Sequence, residues 1–122
     1  MKKSPAISDA EWEVMKALWE SSPVSVNELA ERLAPAKRWH SKTVRTMLNR
    51  LRRKGAVSHT VVDGVYHYHP AVSRENCTRR AAESFMDRVF DGALTPMIAH
   101  LVRRRPLTAE EKSEIKKLLS DM

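Results

Sequence analysis

Ser41-Lys42-Thr43-Val44-Arg45-Thr46-Met47-Leu48-Asn49-Arg50-Leu51-Arg52-Arg53-Lys54-Gly55 combines one apolar stripe with one cationic face. Val44, Met47, Leu48 and Leu51 recur at i, i+3, i+4 and i+7, the period of a helix that buries one side. Ser41 can cap its start, and Gly55 supplies the left-handed residue that ends it. At about 100° per residue, Lys42, Thr46, Asn49 and Arg53 lie opposite the stripe, flanked by Thr43, Arg45 and Arg50. From Lys37 to Lys54 there are eight basic side chains and no acidic one. A solvated helix face ordinarily mixes both signs. This face offers only cations, hydroxyls and an amide, the groups that bond phosphates and base edges.

Upstream, Ser8-Asp9-Ala10-Glu11 is a capping box, with Ile7 and Trp12 placed to staple the entry. Trp12, Met15, Leu18 and Trp19 follow at helical spacing until Ser21-Ser22-Pro23. Ser25-Val26-Asn27-Glu28 opens a second helix, stapled by Val24 and Leu29. Val26, Leu29, Ala30 and Leu33 form its buried stripe, and Pro35 is expected to end it. Downstream, Val57–Val62 and Val65–Pro70 are β-rich runs separated by Asp63-Gly64, the signature of a type I′ hairpin. The register puts Val57, Val61, Tyr66 and Tyr68 on one face, suited to the core. His67 and His69 lie on the other, more exposed face. Three helices, a short connector between the second and third, and a hairpin make the layout of a winged helix-turn-helix. In that layout the third helix enters the major groove, while the hairpin, with Asp63, Gly64 and His67, flanks the DNA backbone.

The last third of the chain is different. Ser73 can cap a helix carrying Cys77, Ala81, Phe85, Met86, Val89 and Phe90, ending near Gly92. Leu94, Met97, Ile98, Leu101 and Val102 repeat at helical spacing. Thr108-Ala109-Glu110-Glu111 is a third capping box, leading to Ile115, Leu118, Leu119 and Met122. Three short amphipathic helices are too few to enclose a core of their own. A two-fold homodimer is therefore expected, with Phe85, Val89, Leu94, Met97, Ile98, Leu101, Ile115 and Leu118 in its seam. The fold class is α+β, mainly α: a winged-helix DNA-binding domain over residues 1–71 and a helical dimerisation domain over 72–122. Two recognition helices on one palindromic duplex would raise selectivity, since each good base contact supplies only about 1–3 kcal/mol.

Of the 122 residues, 42% are hydrophobic and 30% charged, a globular balance. Lys and Arg total 22 against 15 Asp and Glu, a net charge of +7. Residues 1–80 hold 15 basic and 8 acidic side chains, and residues 81–122 hold seven of each. All the excess positive charge thus sits in the first two thirds of the chain, which invites a polyanionic partner. No apolar run approaches the ~18 residues that span a bilayer, and no apolar h-region follows Met1-Lys2-Lys3. A cytoplasmic protein without membrane insertion is expected. The single cysteine, Cys77, cannot build a disulfide framework and reads as a small buried hydrophobe. No paired carboxylates, Gly-rich phosphate loop or His-Glu-x-x-His pattern appears, so neither an enzyme nor a cofactor is expected. Two alternatives remain. His67-x-His69 could hold zinc with a third ligand in a metal-sensing regulator, although His59 should face the other way and no metal site is expected. A winged helix can also be a non-DNA protein-interaction adaptor, against which the cation-only helix face argues.

The stretch Ile7-Ser8-Asp9-Ala10-Glu11-Trp12-Glu13-Val14-Met15, with Trp19, resembles the penicillinase-repressor family (the BlaI/MecI/CopY type). So does Lys42-Thr43-Val44-Arg45-Thr46-Met47-Leu48, with Arg50-Leu51 and Lys54-Gly55-Ala56. The similarity continues through Tyr68 to Pro70 and from Ser84-Phe85 to Gly92-Leu94, so it covers nearly the whole chain. The resemblance implies a winged-helix repressor that dimerises through its C-terminal helices and binds dyad operators of β-lactam-resistance or related genes. It also implies that Lys42, Thr43 and Thr46 contact bases or phosphates. A further implied partner is a membrane sensor protease, which in some members triggers cleavage at an Asn-Phe bond in the C-terminal helices. Here the corresponding region reads Ala99-His100-Leu101-Val102, without that bond. The Cys-x-Cys motif of the copper-responsive branch is also missing.

Overall fold

The computed structural model describes residues 5–122, so the Met1-Lys2-Lys3 start lies outside it. In chain order the elements are α1 (Asp9–Glu20), α2 (Val26–Lys37), α3 (Ser41–Arg53), β1 (Val57–Val62), β2 (Val65–Pro70), α4 (Arg74–Phe90), α5 (Leu94–Arg104) and α6 (Ala109–Ser120). One compact unit ends at Ala82 and the other runs Glu83–Met122. The first unit thus extends past the 71/72 boundary read from sequence. Trp19 Nε1–H donates to Val72 O at 3.0 Å, and Cys77 in α4 is buried, so the start of α4 belongs with the hairpin.

Both capping boxes of the first unit are formed as the sequence dictates. Ser8 Oγ accepts from Glu11 N while Glu11 reaches back to Ser8 N, and Ser25 and Glu28 do the same for α2. The core is built from Val14, Met15 and Leu18 of α1, Leu29 of α2, and Val44, Leu48 and Leu51 of α3, with Val57 and Tyr68 from the hairpin. The two tryptophans expected on the α1 stripe sit at its rim instead, half-buried and 5.6 Å apart. An indole is bulky and carries an N–H that needs a partner, which suits Trp19 to an edge where Val72 O is available. Arg32 ties α2 to the end of α1 by donating to Ser21 O at 2.8 Å.

Three local expectations are corrected. First, α2 does not end at Pro35 but runs to Lys37, and Arg38 in the left-handed region (φ 53°) closes it. Proline in the last turn removes one N–H without stopping the next residues, and Arg38 N–H still donates to Ala34 O at 3.1 Å. Second, the cap of α3 is His40, not Ser41: its Nδ1 accepts from Lys42 N at 3.1 Å. Any side chain that places a lone pair over the first free amides can serve there. Gly55 does end α3, at φ 81°, with Ala56 N–H donating to Leu51 O and Gly55 N–H to Arg52 O, a Schellman closure.

The third correction concerns the hairpin. Its register, with Val61 opposite Tyr66 and His59 opposite Tyr68, is the one the Asp63-Gly64 turn imposes. Both turn residues have positive φ, as a type I′ turn requires. Only the stem is buried, however. Val57 and Tyr68 are 2% exposed, whereas Val61 is 58% and Tyr66 47% exposed. Val24 N and O both bond Tyr68, which pins the stem to the connector between α1 and α2. The residues from Thr60 to Tyr66 are all exposed, so face alternation alone does not bury the tip. His67, expected to be exposed, is only partly so, and its Nε2 lies 4.0 Å from Glu28.

In the second unit α5 and α6 bury no residue fully. Phe90 packs on Phe85 and on His100, at centroid distances of 5.9 and 5.6 Å. Arg105 clamps Glu111 through two 3.1 Å bonds. Its guanidinium and the Thr108 amide hold the Glu111 carboxyl down to about 2.

One buried polar contact deserves a test of stability. Glu11 is 2% exposed, and its carboxylate accepts from both Ser8 N and Lys54 Nζ, joining the start of α1 to the end of α3. Burial pushes this carboxyl up, but the Lys54 ammonium and the Ser8 donors outweigh it and hold the group below its ordinary value. A lowered folded pKa contributes stability that is fully present above the unfolded value, about 4.5, and is lost as pH falls through the folded one. Glu11→Gln should cost about 1–2 kcal/mol near neutrality, less than a fully buried pair because Lys54 is one-third exposed. Thermal melts of both proteins from neutral pH downward should show the difference fading below pH 4.5. A difference independent of pH would contradict the assignment.

Candidate nucleic-acid interface

The face opposite the buried stripe of α3 is open. Lys42, Thr43, Arg45, Thr46, Asn49, Arg50 and Arg53 are all exposed, while Val44, Leu48 and Leu51 on the other side are fully buried. The backbone reinforces this polarity. The first turn of α3 carries no acid but does carry Lys42, so its positive dipole end and a cation point the same way. That arrangement costs helix stability and favours an anion outside the protein. At the other end, Arg50, Arg52 and Arg53 stand where cations stabilise the helix terminus.

Not every cation of the Lys37–Lys54 run is available. Lys54 bonds both Ala6 O, at 3.0 Å, and the Glu11 carboxylate, so it is a structural tie rather than a contact residue. Lys37 sits over the Trp39 ring, 5.9 Å from its centroid. Arg52 turns toward the hairpin, 3.5 Å from His59 Nδ1. Arg38 is the left-handed cap that closes α2, and the other four, Lys42, Arg45, Arg50 and Arg53, line or flank the outward face of α3. Thr46 is also more constrained than its position suggests. Its hydroxyl donates to Lys42 O at 3.0 Å, leaving the oxygen lone pair and the methyl group to face outward. Those are an acceptor for a base donor and an apolar partner for a thymine methyl.

Sequence reasoning missed several participants. Trp39 packs against the core from the α2–α3 connector, next to the His40 cap of α3. A lone aromatic beside a chain turn was the available signal. The Lys54–Glu11 tie was hidden because Glu11 already had a role in its capping box. On the hairpin, Asp63 and Gly64 form the turn and are exposed. His67 faces Glu28 rather than standing free. Among the described residues, no three His, Cys, Asp or Glu side chains come close enough to hold a metal ion. The Cys77 thiol is pushed up by burial, away from the thiolate form. Among the described residues, no helix is long and apolar enough to cross a membrane.

Three helices, a two-stranded wing and an outward cationic helix define a winged-helix transcription regulator. Comparison with known proteins narrows that class. The model of the penicillinase repressor family matches residues 7–121. The penicillinase repressor of Bacillus licheniformis is 36% identical over 121 residues, covering 99% of this chain and 94% of that protein. The methicillin resistance regulatory protein MecI of Staphylococcus aureus is 28% identical over 118 residues, covering 97% of this chain and 96% of its own length. The solution structure of the monomeric form of Bacillus licheniformis BlaI with the blaP half-operator is 43% identical, with a TM-score of 0.53. It covers 62% of this chain and 93% of that one. The chain belongs to the penicillinase repressor family, whose members are repressors rather than enzymes.

The division between available and tied cations is directly measurable. On a heparin column, Arg53→Ala and Arg50→Ala should elute at clearly lower salt than the unmodified chain. Lys54→Ala should elute close to the unmodified chain but melt at lower temperature. Equal retention losses for all three variants would contradict the assignment of Lys54.

Proposed function

We propose that this chain is a dimeric repressor that binds a two-fold DNA site through the exposed face of α3. The observation that carries the reading is the one-sidedness of that helix: four apolar residues buried, and no acid among the side chains facing out. Lys42, Thr43 and Thr46 read bases or set the depth of the helix. Arg45, Asn49, Arg50 and Arg53 supply phosphate and further base contacts. The half-operator complex of the BlaI relative supports a duplex as the partner. Operators of β-lactam-resistance or related genes are the proposed targets, and the cytoplasm is the proposed location.

The second unit supplies the dimer. Phe85 and Val89 are exposed on α4, and Leu94, Ile98, Leu101, Ile115 and Leu118 are exposed on α5 and α6, which bury nothing fully, with Met97 partly covered. Leu118 is 68% exposed. A unit this short gains enough apolar burial only by pairing. A membrane sensor protease, as a partner, would have to act at a bond other than Asn-Phe. Ala99-His100-Leu101-Val102 stand in α5, with His100 packed on Phe90.

Selection of duplexes from a random pool by the full chain should return a palindrome. Thr46→Ala should shift the preferred bases, whereas Arg53→Ala should weaken all sequences alike and lower the salt slope by about one. Failure of the chain to enrich any duplex would overturn the reading. Leu101→Asp should convert the dimer to monomer in sedimentation, since a charge in an apolar seam costs several kcal/mol. An intact dimer would remove the seam.

A further inference from the structure

We infer that the wing grips DNA by an apolar contact to the sugar face of one strand, with Tyr66 and Val65 as positioning residues, rather than by ion pairs to phosphate. This rests on the duplex-binding reading above. A groove of about 480 Å³ runs between α3, the start of α2 and the wing tip. Arg45 and Asn49 line one wall, Ser25 and Asn27 the floor at the α2 end, and Val65 and Tyr66 the other wall. Arg45 is the one charged side chain in that lining.

The occupant follows from charge and continuity. Arg45 and Asn49 already belong to the outward face of α3, so the groove is an extension of the duplex interface and not a separate site. A deoxyribose-phosphate strand alternates an anionic group with an apolar sugar. The groove offers the matching pair: a guanidinium with polar groups on one side, and an aliphatic and an aromatic side chain on the other. The wing cannot do the opposite job. From Thr60 to Tyr66 it carries no Lys or Arg, and its one charge is the carboxylate of Asp63. Val65 is 48% and Tyr66 47% exposed, although alternation along the strands directs Tyr66 to the core side. That surplus apolar surface is what a sugar would cover. Tyr66 is also held ready, stacked on His59 at 4.2 Å and 24°, so little side-chain freedom is lost on contact.

The discriminating property is salt dependence, because ion pairs release counterions and apolar contacts do not. Binding of the full chain to a short random-sequence duplex is measured between about 50 and 200 mM salt. Arg45→Ala should lower the slope of log affinity against log salt by about one. Tyr66→Ala should weaken binding roughly fivefold to tenfold at every salt concentration and leave the slope unchanged. Tyr66→Phe should bind like the unmodified chain. Val65→Thr, which keeps shape and strand preference, should give a smaller parallel loss and serves if Tyr66→Ala does not fold. Tyr66→Ala and Val65→Thr both within twofold of the unmodified chain, or a slope change in either, would overturn the inference. Unchanged binding to the duplex combined with weaker self-association would overturn it in favour of a wing contact between two copies of the chain. If the unmodified chain itself fails to bind with salt dependence, the duplex-binding reading falls instead.

Discussion

Burial of one side of α3 fixes everything that faces the other way. Val44, Leu48 and Leu51 are fully enclosed by α1, α2 and the hairpin stem, and Met47 nearly so. A helix held by four side chains at i, i+3, i+4 and i+7 cannot rotate without emptying the core. Its cations therefore stay outside, at a constant angle to the rest of the unit. Two further ties set the ends. His40 and Trp39 hold the first turn, and Lys54 is locked to the buried carboxylate of Glu11. A recognition surface needs this rigidity, because base contacts are lost when side chains are misplaced by small distances.

The two units divide the work along the same line as the charge. The first has a closed core and the whole net positive balance. The second has balanced charge, open apolar faces, and ends held by local ties such as the Arg105–Glu111 clamp. On the proposed reading, the first half meets a duplex and the second meets another copy of the chain. On that reading, affinity for polyanion and pairing of subunits are separable by mutation.

Much of this was legible in the residues. Ser8 with Glu11, Ser25 with Glu28, Thr108 with Glu111, and Gly55 and Asp63-Gly64 act within a few residues of themselves, so their spacing alone determines the local structure. The exposed face of α3 was readable for the same reason. What escaped was set by distant neighbours. Pro35 signals a stop, but a last turn tolerates the missing N–H. Tyr66 alternates toward the core, yet it lies beyond the buried stem and stays 47% exposed. Lys54 counts as a cation in sequence and is already bonded in space. Each miss arose where tertiary geometry, rather than local preference, decided the outcome.

The most direct measurement is amide-resolved NMR on the isotope-labelled full chain during titration with a duplex recovered by selection. Shifts and line broadening should concentrate at Lys42, Thr46, Asn49 and Arg53, with Val14, Met15 and Leu18 of α1 unmoved. Perturbations confined to Glu83–Met122, with the outward face of α3 unchanged, would contradict the placement of the duplex.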